Sequence, residues 1–590
     1  MHDSKFQPGG ASLKRPSTTA PVVISKESRA TLIDVLRNLA CQRPDDRIYT
    51  FLQGDEQQVL THRELDLRAR SVAARLGEIC RPGDRALLLH PPGLDYIVAL
   101  FGCMYAGVIA VPSYLPRPNR PLTRLESIVA NAAPSIALTT SEIAQSPRSI
   151  FRQTESPLSQ MRALATDEIM VDLSNEALPL RINSETPVLL QYTSGSTASP
   201  KGVILSHGNI LHNTAMIQKN FPLSAESSTV FWLPPYHDMG LIGGILQPLC
   251  TGFPVYLMSP VAFLQRPARW LEAISRYHAT CSGGPNFAYD LCARRVGDEE
   301  IDGLDLSSWR VAFNGAEQIR KQTLDDFAAT FHRCGFRKQA FHPCYGLAEA
   351  SLMVTGRAPK GDVNTVTVSR SALQRDVVAP ALRGTDVCAL VSCGEVVGGQ
   401  DVRIIDPLTG EVCPSDRIGE IWVSGPSVAQ GYWGKPEETK EVFEAQLPGE
   451  SKSFLRTGDL GFLRDGELYI TGRIKDLIII HGQNHYPADI ELTASRSHPA
   501  LPPSGTAAFS FLEESIERLV IVQEFDGRHA PRDLGEILAT IRRAVNEIHD
   551  LQVHDIVPVR AWSLSRTTSG KIQRYLCRAA YSAGTLAKIR

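Results

Sequence analysis

Apolar positions along the chain fall into helical and strand rhythms that alternate. Thr61 and Glu64 have the spacing of a capping box, and Leu65, Ala69, Val72, Leu76 and Ile79 then recur at helical intervals, which predicts a helix over about residues 62–79. After Arg81-Pro82-Gly83-Asp84, residues 86–89 read as a strand, the stretch opened by Asp95 as a helix, and residues 108–111 as a second strand. Residues 122–132 and 136–138 continue the alternation. Such alternation predicts an α/β fold in which helices cover a parallel sheet and ligands bind at the carboxyl ends of the strands. The longest apolar run, residues 96–111, contains Gly102 and Gly107 and stops at Pro112. It is too short to span a bilayer and reads as a buried helix followed by a buried strand, so no transmembrane segment is expected.

The same patterns divide the chain. Residues 1–25 hold scattered Pro, Ser, Thr and Lys without the apolar core of a secretion signal, and are expected to form a disordered leader. Residues 362–369 alternate like a strand, with Ser369 placed to cap a short helix. From about Asp476 a smaller unit begins: a helix near 488–495, apolar runs at 506–511 and 519–522, and a long helix over about 534–548. The expected organisation is a large N-terminal domain of helix-covered sheets over 26–474 and a smaller α+β domain over 475–590, joined near 473–476.

A length of 590 residues, 43% of them hydrophobic, allows more than one core. The 61 basic and 63 acidic side chains are well mixed, so no lasting positive field exists to attract nucleic acid. Twelve cysteines without a CxxC pair indicate neither a disulfide framework nor a zinc module, and fit a reducing cytoplasm. His332 with Cys334 and His342 with Cys344 are the nearest approach to a metal pattern, but their spacing is not that of a common structural zinc site.

The segment Tyr192-Thr193-Ser194-Gly195-Ser196-Thr197-Ala198-Ser199-Pro200-Lys201-Gly202-Val203 gathers hydroxyls, glycines and a lysine behind the apolar residues 188–190. Glycines let backbone N–H groups approach a polyanion, hydroxyls donate further bonds and lysine adds a point charge, so the segment reads as a polyphosphate loop. It is not a Walker loop, because Pro200 precedes the lysine. Composition alone leaves a polar surface loop equally open.

The string closely resembles the phosphate-loop signature of the adenylate-forming superfamily, which includes acyl-CoA synthetases, firefly luciferase and peptide-synthetase adenylation domains. Further signatures follow in that family's order. Asn314-Gly315-Ala316-Glu317 resembles its adenine-contacting turn, and Tyr345-Gly346-Leu347-Ala348-Glu349 its tyrosine-stack and magnesium motif. Arg456-Thr457-Gly458-Asp459 resembles the ribose-binding segment, Gly472-Arg473-Ile474-Lys475-Asp476 the hinge, and Ser569-Gly570-Lys571 the catalytic-lysine loop. Ala198 stands where the family usually has glycine, and Ala348 where it has Thr or Ser; neither change removes a charge.

The resemblance implies an enzyme that uses ATP and Mg²⁺, with a C-terminal domain that moves about Lys475. It implies Thr193 and Glu349 as metal contacts, and Ser194, Gly195, Ser196, Thr197 and Lys201 around the phosphates. Asn314, Gly315, Ala316, Glu317, Tyr345, Gly346, Leu347 and Arg473 would surround the nucleotide, with Tyr345 against the adenine face and Asp459 accepting both ribose hydroxyls. Lys571 would reach in from the small domain to bridge acyl carboxylate and phosphate, and His237 would lie beside the acyl pocket and the pantetheine tunnel.

Within the superfamily, residues 236–248 and 482–491 look most like fatty acyl-AMP ligases. So does the long interval between Glu349 and Asp406, which reads as an insertion over about 357–383. In that family the insertion accompanies loss of CoA-thioester formation. The resemblance therefore implies that a fatty acid is activated and passed to a holo acyl-carrier protein, expected to be a separate chain because few residues follow Lys571. A fatty acyl-CoA ligase, an amino-acid adenylation domain using Asp238, and a nucleotide-binding pseudoenzyme are the alternatives.

Overall fold

The computed structural model describes residues 30–116, 122–146, 149–152, 157–170, 182–193, 200–357, 361–381, 384, 386–480, 482–513, 516–525, 533–567 and 570–589. The leader expected over 1–25 lies outside them. The capping box forms as read: the Thr61 side chain accepts from the Glu64 N–H at the head of helix His62–Gly77. The long apolar run becomes helix Leu94–Tyr105 and strand Ile109–Pro112. Every residue of that helix except Asp95 is buried, and Asp95 pairs with Arg68 at 2.6 Å. A helix apolar all round belongs inside a large domain, where each aliphatic side chain contributes about 1.5–3 kcal/mol on burial.

Two large sheets organise the first 473 residues. The six-stranded one has Arg85–Leu88, Ile109–Pro112, Ile136–Thr139, Ala163–Ala165 and Pro187–Thr193 running parallel, and ends in an antiparallel hairpin from Pro187–Thr193 to Lys201–Ser206. The fifteen-stranded one has a parallel half, which includes Thr229–Phe231, Cys281–Gly284, Val311–Asn314 and Phe341–Gly346. From Phe341–Gly346 onward its central path is antiparallel, whereas the strands read from the alternation pair in parallel in the six-stranded sheet. The reason is loop length: Ser453–Arg464 and Glu467–Arg473 are joined by too few residues for a crossover, so they can pair only as a hairpin.

The smaller unit has a three-stranded sheet, Thr506–Glu513, Ile516–Phe525 and Val553–Arg560, with helices Pro487–Arg496, Leu534–His549 and Arg574–Ser582. Its apolar cluster, around Ile490, Ile521, Ile541 and Ile556, is separate from the main core. No helix among the described residues is long and apolar enough to cross a membrane.

Candidate active site

Strand ends and the small unit converge on two adjoining cavities. The first is walled by Thr193, Tyr236, His237, Asp238, Ala316, Tyr345, Gly346, Leu347, Glu349, Arg473 and Lys571 at one end. It continues between Ile217, Phe221, Phe231, Gly243, Phe313 and Leu352, and its empty volume, open mouth included, is about 1520 Å³. The second shares Ala316, Tyr345, Gly346, Arg473 and Lys571 and adds Glu317, Asp459 and Asp476. A polar head joined to an apolar sleeve suits an amphiphile with an anionic end.

Several of the polar groups are held by partners of known position. Tyr345, on strand Phe341–Gly346, donates its hydroxyl to Asp459 Oδ2 at 2.7 Å, while Arg473 pairs with Asp459 Oδ1. Asp459 and Arg473 also face one another in the ladder between strands Ser453–Arg464 and Glu467–Arg473. Both oxygens of Asp459 are thus engaged already; a carboxylate has about four lone-pair sites, so each can accept once more from a donor in the cavity. Glu349 accepts from the Tyr432 hydroxyl at 2.9 Å, and burial pushes its carboxyl above the usual range, as it does that of Glu317. His237 Nδ1 lies 2.6 Å from Asp238 Oδ1, which also accepts from the Met239 N–H at 2.6 Å. Burial raises the Asp238 carboxyl, but His237 and Lys571 outweigh it and hold it below its ordinary value.

Lys571 comes from the other unit. Its loop is closed by Thr567, whose N–H donates to the Lys571 carbonyl at 2.7 Å and whose hydroxyl accepts from the Lys571 N–H at 3.0 Å. Gly570 has φ +91°, and a Cβ there would stand 2.5 Å from the Phe287 ring, so only glycine lets the loop seat this closely. Burial and Arg473 lower the lysine's pKa; Asp238, Glu317 and Asp459 act in the opposite sense. The docking is fixed nearby by Arg320 Nη1 donating to the Pro503 carbonyl at 2.8 Å.

Of the residues singled out from sequence, Thr193, His237, Ala316, Glu317, Tyr345, Gly346, Leu347, Glu349, Asp459, Arg473 and Lys571 line the two cavities. Ser194, Gly195, Ser196 and Thr197 lie outside the described residues. Lys201, opposite Thr193 in the hairpin, is turned to Glu438 and stands 4.8 Å above the Tyr432 ring. Asn314 and Gly315 support the wall from behind: Asn314 is fully buried, and a Cβ on Gly315 would meet the Cys344 carbonyl at 2.9 Å. Lys475 is exposed in the short 3₁₀ turn Ile474–Asp476. Tyr432 was not legible beforehand, since nothing local marks a tyrosine that meets Glu349 across 83 positions. Cys334 and Cys344 donate to the carbonyls of Ile301 and Asn314, and no metal-holding group of three or more His, Cys, Asp or Glu occurs among the described residues.

The segment read as an insertion, where described, folds between the large sheet and the smaller unit. Strand Thr365–Ser369 pairs with Val387–Val396, and Ser369 caps helix Arg370–Leu373 by accepting from the Ala372 N–H. Arg370 then makes a two-pronged pair with Asp489 at 2.6 and 3.2 Å, and Asp376 accepts from Asn484 at 2.9 Å and Tyr486 at 3.2 Å. The segment is bonded directly to the smaller unit.

The model of the AMP-binding enzyme family matches residues 36–433. This chain belongs to that family. Residues 475–590 match a second model, the AMP domain of Disco-interacting protein 2-like proteins. The chain is 45% identical to the medium-chain-fatty-acid–[acyl-carrier-protein] ligase JamA of Moorena producens, over 95% of this chain and 97% of that protein. It is 35% identical to the ligase TtuA of Teredinibacter turnerae, described in the same words, over 93% of each. The fatty acyl-adenylate ligase of Legionella pneumophila, solved with acyl adenylate and pyrophosphate, superposes with a TM-score of 0.74 at 43% identity, covering 94% of this chain and 96% of that one.

Proposed function

We propose that this chain joins ATP and a medium-chain fatty acid into a fatty acyl-adenylate, releases pyrophosphate, and passes the acyl group to the phosphopantetheine of an acyl-carrier protein. The observation that carries the reading is Lys571 seated among Asp238, Glu317, Asp459 and Arg473 at the mouth of an apolar cavity. A carboxylate oxygen that attacks the α-phosphorus brings two anions together, and the bond to pyrophosphate breaks as the new P–O bond forms. Charge grows on oxygens around phosphorus, and a preorganised cation there lowers the barrier. Lys571 is that cation, acting without becoming a nucleophile. Asp459 orients the ribose, Tyr345 lies along the base, and Ala316 and Glu317 border the nucleotide. Ser194 to Thr197 and Lys201 hold the departing phosphates; Lys201 leaves Glu438 to do so.

Mg²⁺ takes one or two protein oxygens together with substrate phosphates, so Thr193 and Glu349 on one cavity wall are a fitting donor pair. When bound, the ion offsets phosphate charge. Glu349→Gln keeps volume and can still accept from Tyr432. It should move the Mg²⁺ titration of pyrophosphate release upward by about tenfold or more, the scale on which even outer-sphere partners affect metal affinity. An unchanged titration would make Glu349 structural.

We place the domain join at Lys475, with 26–474 and 475–590 on either side. Proline's fixed φ matches the 3₁₀ turn that holds Lys475 here, but it cannot follow the chain through a rotation. Lys475→Pro should keep acyl-AMP formation within a few-fold while abolishing transfer to a holo carrier. Loss of both reactions together would remove the hinge role. All twelve cysteines are free, which supports a cytoplasmic setting. The direct test is incubation with ATP and fatty acids, with free CoA or a holo carrier as acceptor. Acyl-AMP and acyl-carrier should form; abundant acyl-CoA would move the chain to the CoA-ligase branch.

A further inference from the structure

The first cavity has a second wall, built by the six-stranded sheet rather than by the sheet that forms the sleeve. Ser113, Tyr114, Gln191 and Thr193 line it at or just past the carboxyl ends of the neighbouring parallel strands Ile109–Pro112 and Pro187–Thr193. Helix Thr123–Ala132 adds Arg124 and Ile128. A helix between parallel strands runs back along the sheet, so its first turn stands at the strand ends where ligands bind. Asn131, in the last turn, accepts from the Tyr192 hydroxyl at 2.5 Å, and Arg124 is roughly 10 Å from it along the helix axis at 1.5 Å per residue.

Arg124 lies in none of the motif strings. Among the described residues its side chain has no hydrogen bond or ion pair, and its Nε is buried without a partner. Of the other cations, Arg473 is bound to Asp459, and Lys201, opposite Thr193, to Glu438. Burial raises the phenols of Tyr114 and Tyr575, and at both the Arg124 charge acts in the opposite sense. The guanidinium therefore stands within electrostatic reach of the large unit's strand end and of helix Arg574–Ser582, which follows Lys571 in the smaller unit. A half-buried guanidinium with no counter-charge is costly unless a ligand supplies one. Its planar fork fits two phosphate oxygens, and the acyl carboxylate is already placed at Lys571, at the mouth of the sleeve.

Resting on the acid-activation reading above, we infer that Arg124 is a phosphate-binding residue that receives the phosphates of ATP as they leave as pyrophosphate. The bond between the α-phosphorus and the bridging oxygen breaks with its electron pair going to pyrophosphate, and Arg124 offsets that charge without giving up a proton. The phosphodiester of a carrier's phosphopantetheine has the same chemistry, and the test separates the two sources.

Native protein, Arg124→Met and Arg124→Lys should be compared in pyrophosphate release from ATP and decanoic acid, in inhibition by added pyrophosphate, and in calorimetric binding of Mg²⁺-pyrophosphate. Arg124→Met removes no side-chain bond among the described residues and should melt like the native protein. It should raise the KM for ATP and weaken pyrophosphate inhibition and binding roughly ten- to a hundredfold, the scale of a lost charge-assisted contact, with the KM for decanoic acid unchanged. Arg124→Lys should regain most of the loss. If the ATP and pyrophosphate values stay native while the KM for a holo carrier rises by that factor, and that for unphosphorylated pantetheine does not, the phosphate bound is the carrier's. Native values in both arms, or an equal rise in the KM for decanoic acid, would overturn the site and leave acid activation standing. A native protein that releases no pyrophosphate with any acid would overturn acid activation instead, and the binding of pyrophosphate, native against Arg124→Met, would still decide the site.

Discussion

Lys571→Ala is expected to slow acyl-adenylate formation by roughly 10²–10³-fold, the cost of removing one preorganised donor from a developing oxyanion. The variant should melt close to the native protein. Its loop is held by the Thr567 backbone and hydroxyl, contacts that alanine keeps, and the lysine side chain is only partly buried and belongs to no apolar cluster. It also leaves Arg473 in place beside Asp459, so the ribose and base contacts proposed above survive. The loss should therefore appear in kcat more than in the KM for ATP, because an interaction made chiefly in the transition state is the one deleted. Pyrophosphate release at the native rate would sink the assignment of Lys571 as the catalytic cation.

Much of this arrangement is legible in the sequence, for reasons that differ from part to part. The helix starts at Thr61 and Ser369 were readable because a capping residue bonds within its own turn. Tyr345, Glu349, Asp459 and Lys571 were readable because each sits in a string that resembles a motif of the adenylate-forming superfamily, and all four line the two adjoining cavities. What stayed hidden is what depends on distant partners. Glu349 meets Tyr432, Lys201 is held by Glu438, and Arg370 and Asp376 meet Asp489 and Asn484 only in three dimensions. The π-helix Met239–Leu246 was also invisible. Its residues Met-Gly-Leu-Ile-Gly-Gly-Ile-Leu have no polar face from which to read a period, and a Cβ on Gly240 would sit 2.0 Å from the Pro234 carbonyl.

The contacts of Arg370 and Asp376 with the smaller unit lead to the second large effect. Deleting 357–383 would be a poor test, because Val368 and Leu373 are buried in one apolar cluster with Leu390, Phe462 and Tyr486. Removing them would expose that cluster and unpair a strand. The ties can be cut at their tips instead. Arg370→Ala alone would strand the Asp489 charge, which is 17% exposed, at a cost of about 3–5 kcal/mol, whereas removing both partners avoids that penalty. Arg370→Met with Asp489→Leu, combined with Asp376→Ala, removes the side-chain ties to Asp489, Asn484 and Tyr486 and touches no residue of either cavity; the bond from the Asn484 N–H to the Gln374 carbonyl and the packing of Tyr486 remain. If these bonds hold the small domain in its adenylate-forming position, the triple variant should keep acyl-AMP formation within a few-fold of native. It should also make more acyl-CoA than the native protein, because a loosened small domain would turn more readily about the join proposed at Lys475 and admit free CoA. Chromatographic measurement of both products over time separates the two steps. A variant that melts normally and forms acyl-AMP at the native rate, yet makes no more acyl-CoA than the native protein, would show that these contacts are not what bars CoA.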